Sequence, residues 1–135
     1  METVLIIGAS RLGASIASYC SQTGINAIIV DKDKESFKKV DPSFSGFFVE
    51  GNATSLPLLK RAGLEKAKEV NVVTGDDNTN IFLACLIERF SKVPYINVRL
   101  TDPQKEVLLP HERVRLISPS SLAFDLYKNL REKER

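Results

Sequence analysis

The chain has 135 residues, of which 43% are hydrophobic and 27% charged, the proportions of one soluble globular domain. A formal net charge of +2 is too small to argue for nucleic acid or an anionic membrane surface as partner. The longest apolar run, Ile81 to Ile87, is far short of a bilayer span, no signal-peptide pattern precedes the first predicted strand, and 135 residues leave little room for a substrate domain.

Apolar runs and turn residues alternate to the end of the chain. Strands are predicted at Thr3–Ile7, Ala27–Val30, Gly46–Glu50, Val70–Val73, Tyr95–Val98 and Val114–Ile117. Their Val, Ile and Phe runs lack a polar alternate face, as expected of a parallel sheet covered on both sides. Helices are predicted at Leu12–Gln22, Lys34–Lys39, Leu56–Ala62, Thr79–Phe90, Pro103–Leu108 and Pro119–Arg131. Ser118 and Pro119 suit the N-cap and first position of the last helix, and Gly24 and Gly63 suit C-caps. Six strands with crossover helices predict an α/β fold: a doubly wound, parallel, six-stranded Rossmann-like sheet of order 3-2-1-4-5-6. The domain is expected to span 1–131, followed by a charged tail at 132–135, with no second regulatory domain in this chain.

The N-terminal stretch carries the chemistry. A buried strand runs into Gly8-Ala9-Ser10-Arg11-Leu12-Gly13 and then a helix, and Asp31 follows the second strand, eighteen residues after Gly13. In a Rossmann βαβ unit the glycines permit a tight turn, the helix N-terminus faces a phosphate, and the acid takes a ribose hydroxyl. Ser10 stands where the second glycine belongs, and its hydroxyl can itself donate to a phosphate oxygen. Arg11 opposes the helix dipole unless an anion is shared, and its guanidinium can fork onto a phosphate. Asp31 would repel a 2′-phosphate, so NADP is disfavoured, and Lys32 beside it is a further cofactor-binding candidate. The motif predicts a nucleotide-binding protein.

Two more loops follow strand ends and should face the same crevice: Glu50-Gly51-Asn52-Ala53-Thr54 and Thr74-Gly75-Asp76-Asp77-Asn78-Thr79-Asn80. Asn52, Ala53 and Thr54 are placed for adenine. Thr74, Gly75 and Asp77 are candidates for the far side, although Asp77 suits a helix cap equally.

Cys20 and Cys85 fall on predicted helices among apolar neighbours and read as buried free thiols. His111 is the only histidine, so no His/Cys metal cluster can be assembled and no metal site is expected. Ile81–Ile87 is apolar all round, whereas a helix covering a sheet needs only a stripe. In the last helix Leu122, Ala123, Leu126, Tyr127 and Leu130 form a stripe, with Phe124 off it. Both features point to an oligomer interface.

Taken together, these loops resemble the nucleotide-binding N-terminal domain of the family that regulates potassium conductance, found in Trk- and Ktr-type uptake systems and in channel gating rings. The matching residues are Ile7 to Gly13, Val30-Asp31, Gly51 to Thr54, Leu64 to Ala67, Val73 to Asn80, Val98-Arg99 and Val114 to Pro119. The resemblance implies a cytoplasmic Rossmann domain, peripheral at the inner face of the membrane through its partner. It implies binding of NAD(H) or an adenine nucleotide (ATP, ADP or AMP) and control of an integral membrane potassium transporter or channel subunit. It also implies a homodimer or larger ring, which can include a second regulatory chain. Gly8–Gly13 resembles the phosphate cradle, Asp31 the ribose acceptor, and Asn52, Ala53 and Thr54 the adenine-side contacts. Thr74 and Gly75 match the far wall, Arg11 an arginine aimed at a terminal phosphate, and Arg99 a recurrent basic position.

A regulatory module without catalysis is therefore the leading expectation. The alternatives are the cofactor domain of an NAD-dependent oxidoreductase and a structural subunit whose nucleotide site has decayed. Against the oxidoreductase, no His, Lys or Tyr pairs with a plausible catalytic partner.

Overall fold

The computed structural model describes residues 2–133, so Met1 and, from the expected tail, Glu134 and Arg135 lie outside the described residues. Six parallel strands form one sheet in the order β3-β2-β1-β4-β5-β6. They are β1 (Thr3–Ile7), β2 (Asn26–Asp31), β3 (Phe47–Glu50), β4 (Glu69–Val72), β5 (Tyr95–Arg99) and β6 (Val114–Ile117). The α-helices are α1 (Arg11–Gln22), α2 (Leu56–Arg61), α3 (Asp77–Phe90) and α4 (Pro119–Lys133). The predicted order and element types hold, with ends displaced by one or two residues. Lys34–Lys39 and Pro103–Leu108 are 3₁₀ helices instead of α. Each opens on an aspartate cap bonded two residues ahead, Asp33 to Glu35 N–H and Asp102 to Gln104 N–H, and six residues suffice for the tighter turn.

Central β1 pairs with β2 and β4, placing Ile7 between Val30 and Val72. The period of two then sends alternate residues to opposite faces. Leu5, Ile7, Val30, Val70 and Val72 join a core under α2 and α3. Val4, Ile6, Ala27 and Ile29 join a second core with Ala17 and Cys20 of α1. The topology puts the turn after β1 at the carboxyl end of the sheet, where strand order reverses.

Two expectations are corrected. First, β4–β6 do have a polar face: Asn97 donates to Asn71 (2.8 Å), Asn71 donates to Glu69 (2.8 Å), and the Arg115 guanidinium lies 4.8 Å from the Tyr95 ring centre. The apolar core on that side is built by α1 with β1 and β2, so the outer strands there hold polar groups bonded to one another. Secondly, only Cys20 is buried; Cys85 is exposed on the outer side of α3. Burial pushes the Cys20 thiol up to about 11, with Glu69 and Glu2 adding to it. As expected of a helix that is apolar all round yet covers one sheet face, α3 leaves its outer side uncovered: Leu83, Ala84 and Ile87 face the core, while Phe82 and Phe90 are 51% and 54% exposed. No residue of α4 is buried, so its whole apolar stripe is uncovered. Ser118 caps that helix as expected, accepting from Ser121 N–H.

Arg113 has φ 63°, unusual for a side chain with a Cβ. That backbone turn aims its guanidinium at the Val93 carbonyl (2.6 Å) and at the Glu88 carbonyl in the last turn of α3. A carbonyl left over at the helix end, that of Glu88, thus gains a charged donor.

Candidate functional site

A cleft of about 560 Å³ opens at the carboxyl ends of β1, β2 and β4, walled by the loops after β1, β2, β3 and β4. Its floor is the glycine turn. Gly8 has φ 109°, and a Cβ there would stand 2.8 Å from the Thr74 nitrogen. A Cβ at Gly13 would fall 2.1 Å from the Gly8 carbonyl oxygen, so α1 can start this close to β1 only with glycine at both positions. The β1 ladder runs on into the turn through Gly8 N–H to the Val30 carbonyl (2.8 Å).

Ser10 is the N-cap of α1. Its Oγ accepts from Gly13 N–H (3.1 Å) and donates to the Val73 carbonyl (2.7 Å). The hydroxyl proton expected to reach a phosphate is therefore committed within the protein. Asp31 clamps the turn from the other side: Oδ2 accepts from Ala9 N–H (2.8 Å) and Oδ1 from Asp33 N–H (2.8 Å). Each carboxylate oxygen still has a lone pair for a ribose hydroxyl.

Gly8, Ala9, Ser10, Asp31, Lys32, Asn52, Ala53, Thr54, Thr74 and Gly75 all line the cleft, as the sequence suggests. Five candidates do not. Arg11 is exposed and lines an adjoining open groove of about 590 Å³ along α1. Leu12 packs against the second core and Gly13 lies beneath the turn. Both Asp77 and Arg99 support the far wall from behind. Asp77 accepts from Thr101 N–H (2.7 Å) and Asp102 N–H (2.9 Å), and Arg99 donates to the Thr74 carbonyl (3.3 Å).

Asn80, fully buried, is the organiser of that wall, and sequence reasoning missed it. Its Oδ1 accepts from Thr74 N–H (3.2 Å) and from the Thr74 hydroxyl. Its Nδ2 donates to the carbonyls of Thr74 (3.1 Å) and Arg99 (2.9 Å). A polar Asn one turn into the helix, directly before the apolar run Ile81–Ile87, is the signal that could have found it. Ser36, Lys39, Asp76 and Thr79 also line the cleft and were not singled out. Asp76 caps α3, and the hydroxyl and N–H of Thr79 hold its carboxyl below the usual carboxylate range. Asn52 Oδ1 accepts from the N–H and hydroxyl of Thr54, which fixes the turn into α2.

Burial pushes the Asp77 carboxyl up, but the amides of Thr101 and Asp102 outweigh it, with Lys105 helping, and hold it below its ordinary 3.8. A pKa depressed by folding contributes stability that is complete above the unfolded value and disappears as pH falls through the folded one. Asp77→Asn should therefore destabilise the domain by about 1.5–3 kcal/mol at pH 7, by removing charged acceptors from two amides. Urea titrations from pH 7 down to pH 3 should show the gap to wild type closing below pH 3.8. A gap that does not change with pH would mean that the Asp77 charge contributes nothing.

Comparison with known proteins bears on this geometry. The sequence model of the TrkA-N domain family matches residues 4–118. The chain is 30% identical over 102 residues to the Trk system potassium uptake protein TrkA of Streptomyces coelicolor, covering 76% of this chain and 46% of that protein. It thus spans about half the length of the curated relatives it matches. Among solved structures, GsuK bound to ADP superposes with a TM-score of 0.80 at 26% identity, covering 99% of this chain and 35% of that one. The TrkA-N domain of the Escherichia coli inner membrane protein ybaL superposes at 0.83 with 13% identity, covering 96% of each chain, a likeness of fold.

Proposed function

The chain belongs to the TrkA-N domain family, and from that premise we propose that it is a cytoplasmic regulatory subunit or domain of a potassium uptake system or channel. It binds NAD(H) or an adenine nucleotide (ATP, ADP or AMP) in the cleft and alters the gate of a membrane partner through a conformational change. The observation that carries this reading is the double clamp of Asp31 on the glycine turn. It sets a carboxylate beside the α1 N-terminus, with Asn52–Thr54 on one flank and Thr74–Gly75 on the other. The cradle that a Cβ at Gly8 or Gly13 would fill, and the unpaired amides of a helix start, suit a phosphate. Asp31 also stands where a 2′-phosphate would come, which disfavours NADP(H).

GsuK, a relative at the level of this domain, has been solved with ADP bound, which supports an adenine nucleotide here. Among the described residues no helix is long and apolar enough to cross a membrane, so the membrane partner is a separate element of the proposal. The oxidoreductase alternative needs a proton-transfer group at the cleft. His111 is exposed in the loop before β6 and does not line it, so that alternative would have to use a lysine or carboxylate of the cleft wall, where Asp31 and Lys39 are already bonded to the glycine turn and Asp76 caps α3.

Mass spectrometry of ligand released from the purified protein, with calorimetric titration of ADP, AMP and NAD⁺, tests the reading. Micromolar binding of at least one is the expected result. A folded protein that takes none of them would return the domain to a structural role.

A further inference from the structure

The phosphate side of the cleft offers fewer donors than its glycine turn suggests. Ala9 N–H is committed to Asp31, the Ser10 hydroxyl to Val73, and Gly13 N–H to Ser10. The amides of Arg11 and Leu12 remain at the start of α1, where the helix dipole amounts to roughly half an elementary charge. A diphosphate brings more negative charge than that, and Asp31 adds its own. A full cation on this wall would offset that excess.

One is already in place. Lys39 ends the 3₁₀ helix Lys34–Lys39, and its Nζ donates to the Ala9 carbonyl at 3.3 Å. That bond holds the ammonium one residue from the N-cap of α1. Lys39 also lines both the cleft and the adjoining groove that contains Arg11. Lys32 lines the cleft too, but among the described residues no hydrogen bond ties it to the turn. An ammonium has three donors, and Ala9 takes one, so two are left for phosphate oxygens. The placement is braced at both ends of the 34–39 segment. Asp31 holds Ala9 N–H and Asp33 N–H at its start, and Lys39 holds the Ala9 carbonyl from its end. A cation positioned before the ligand arrives loses little freedom on binding.

We propose that Lys39 is the phosphate-holding cation of the cleft and that its charge selects nucleotides carrying a 5′-diphosphate. The proposal rests on the nucleotide-binding reading above and adds to it the residue that neutralises the diphosphate. A tether that only positions Ala9 would need a donor and no charge, and this difference makes the two roles separable.

Calorimetric titration of ADP against wild type, Lys39→Gln and Lys39→Arg decides it, with melting temperatures taken without nucleotide to check that each variant is folded. Lys39→Gln keeps a donor for the Ala9 carbonyl and loses the charge, so ADP should bind about three- to tenfold more weakly, with a flatter dependence on salt. Lys39→Arg keeps the charge and should stay within about twofold of wild type. Unchanged ADP affinity in Lys39→Gln, or an equal loss in both variants, overturns the proposal and leaves the nucleotide-binding reading standing. A wild type that binds AMP as tightly as ADP, or in its place, overturns the selection for the diphosphate alone. A wild type that binds none of the three removes the nucleotide-binding reading itself.

Discussion

Asp31→Ala should weaken binding of ADP or NAD⁺ by at least tenfold in a protein that still folds. A charged acceptor lost from a hydrogen-bonded site costs on the order of 1.5–3 kcal/mol, and tenfold corresponds to about 1.4 kcal/mol. The structure gives the substitution a second effect. Alanine also releases Ala9 N–H and Asp33 N–H, so the glycine turn and the start of the 34–39 segment lose the group that joins them. Direct and indirect losses can be told apart with Asp31→Asn, which retains one acceptor oxygen for the turn but not the charge. Calorimetry on both variants, with melting curves as control, reports the outcome. Affinity unchanged in folded Asp31→Ala would take Asp31 out of the site and with it the proposed orientation of the nucleotide.

The second large effect concerns assembly. On α3, Phe82 and Phe90 are half-exposed, and Cys85 Sγ lies 4.0 Å from the Leu108 carbonyl. That contact brings the outer face of α3 beside Val107 and Leu108, which are 80% and 56% exposed. On α4, Leu122, Phe124, Leu126, Tyr127 and Leu130 are all exposed, and a helix of 15 residues is marginal in water without packing. Both surfaces are expected to be covered in a homodimer or larger ring. Burying one large apolar side chain contributes roughly 1.5–3 kcal/mol, and a two-fold contact uses each residue twice. Phe82→Asp or Phe124→Asp should therefore weaken a dimer by about a hundredfold or more, whichever residue lies in the contact. Light scattering at micromolar concentration measures it. A monomeric wild type would exclude self-association and leave a second regulatory chain as the partner for these faces.

The strands, the turn chemistry and the strand order were legible because they are local. Val4 to Ile7 is apolar at every position and ends on Gly8, and the interval to Asp31 matches one helix and one strand. Gly8, Ser10, Asp31, Asn52 and Thr74 could be placed at one crevice because parallel topology gathers all the carboxyl ends at one edge. Asp77 and Arg99 were assigned to the same edge correctly, yet both face away from the cleft. In sequence an acid at a helix start reads alike whether it meets a ligand or, as here, the amides of Thr101 and Asp102. Cys85 was misplaced for a related reason. A helix with apolar residues on every side gives no sign of which side the sheet takes, and the packing of Leu83, Ala84 and Ile87 against β4 and β5 decides it.

By itself the sequence determined a doubly wound Rossmann-like sheet, a glycine turn that excludes a Cβ at two positions, and an acid at the end of β2. Backbone sterics and hydrophobic period are properties of neighbouring residues, and they act before any distant contact forms. Only the tertiary structure decided that the Ser10 proton goes to Val73, that Asn80 holds the far wall, and that Lys39, thirty residues along the chain from Ala9, returns to the turn. It also left α4 uncovered, although the stripe of that helix reads like any other. These outcomes depend on which side chains converge once the sheet has formed, and convergence over tens of residues leaves no periodic trace in the chain.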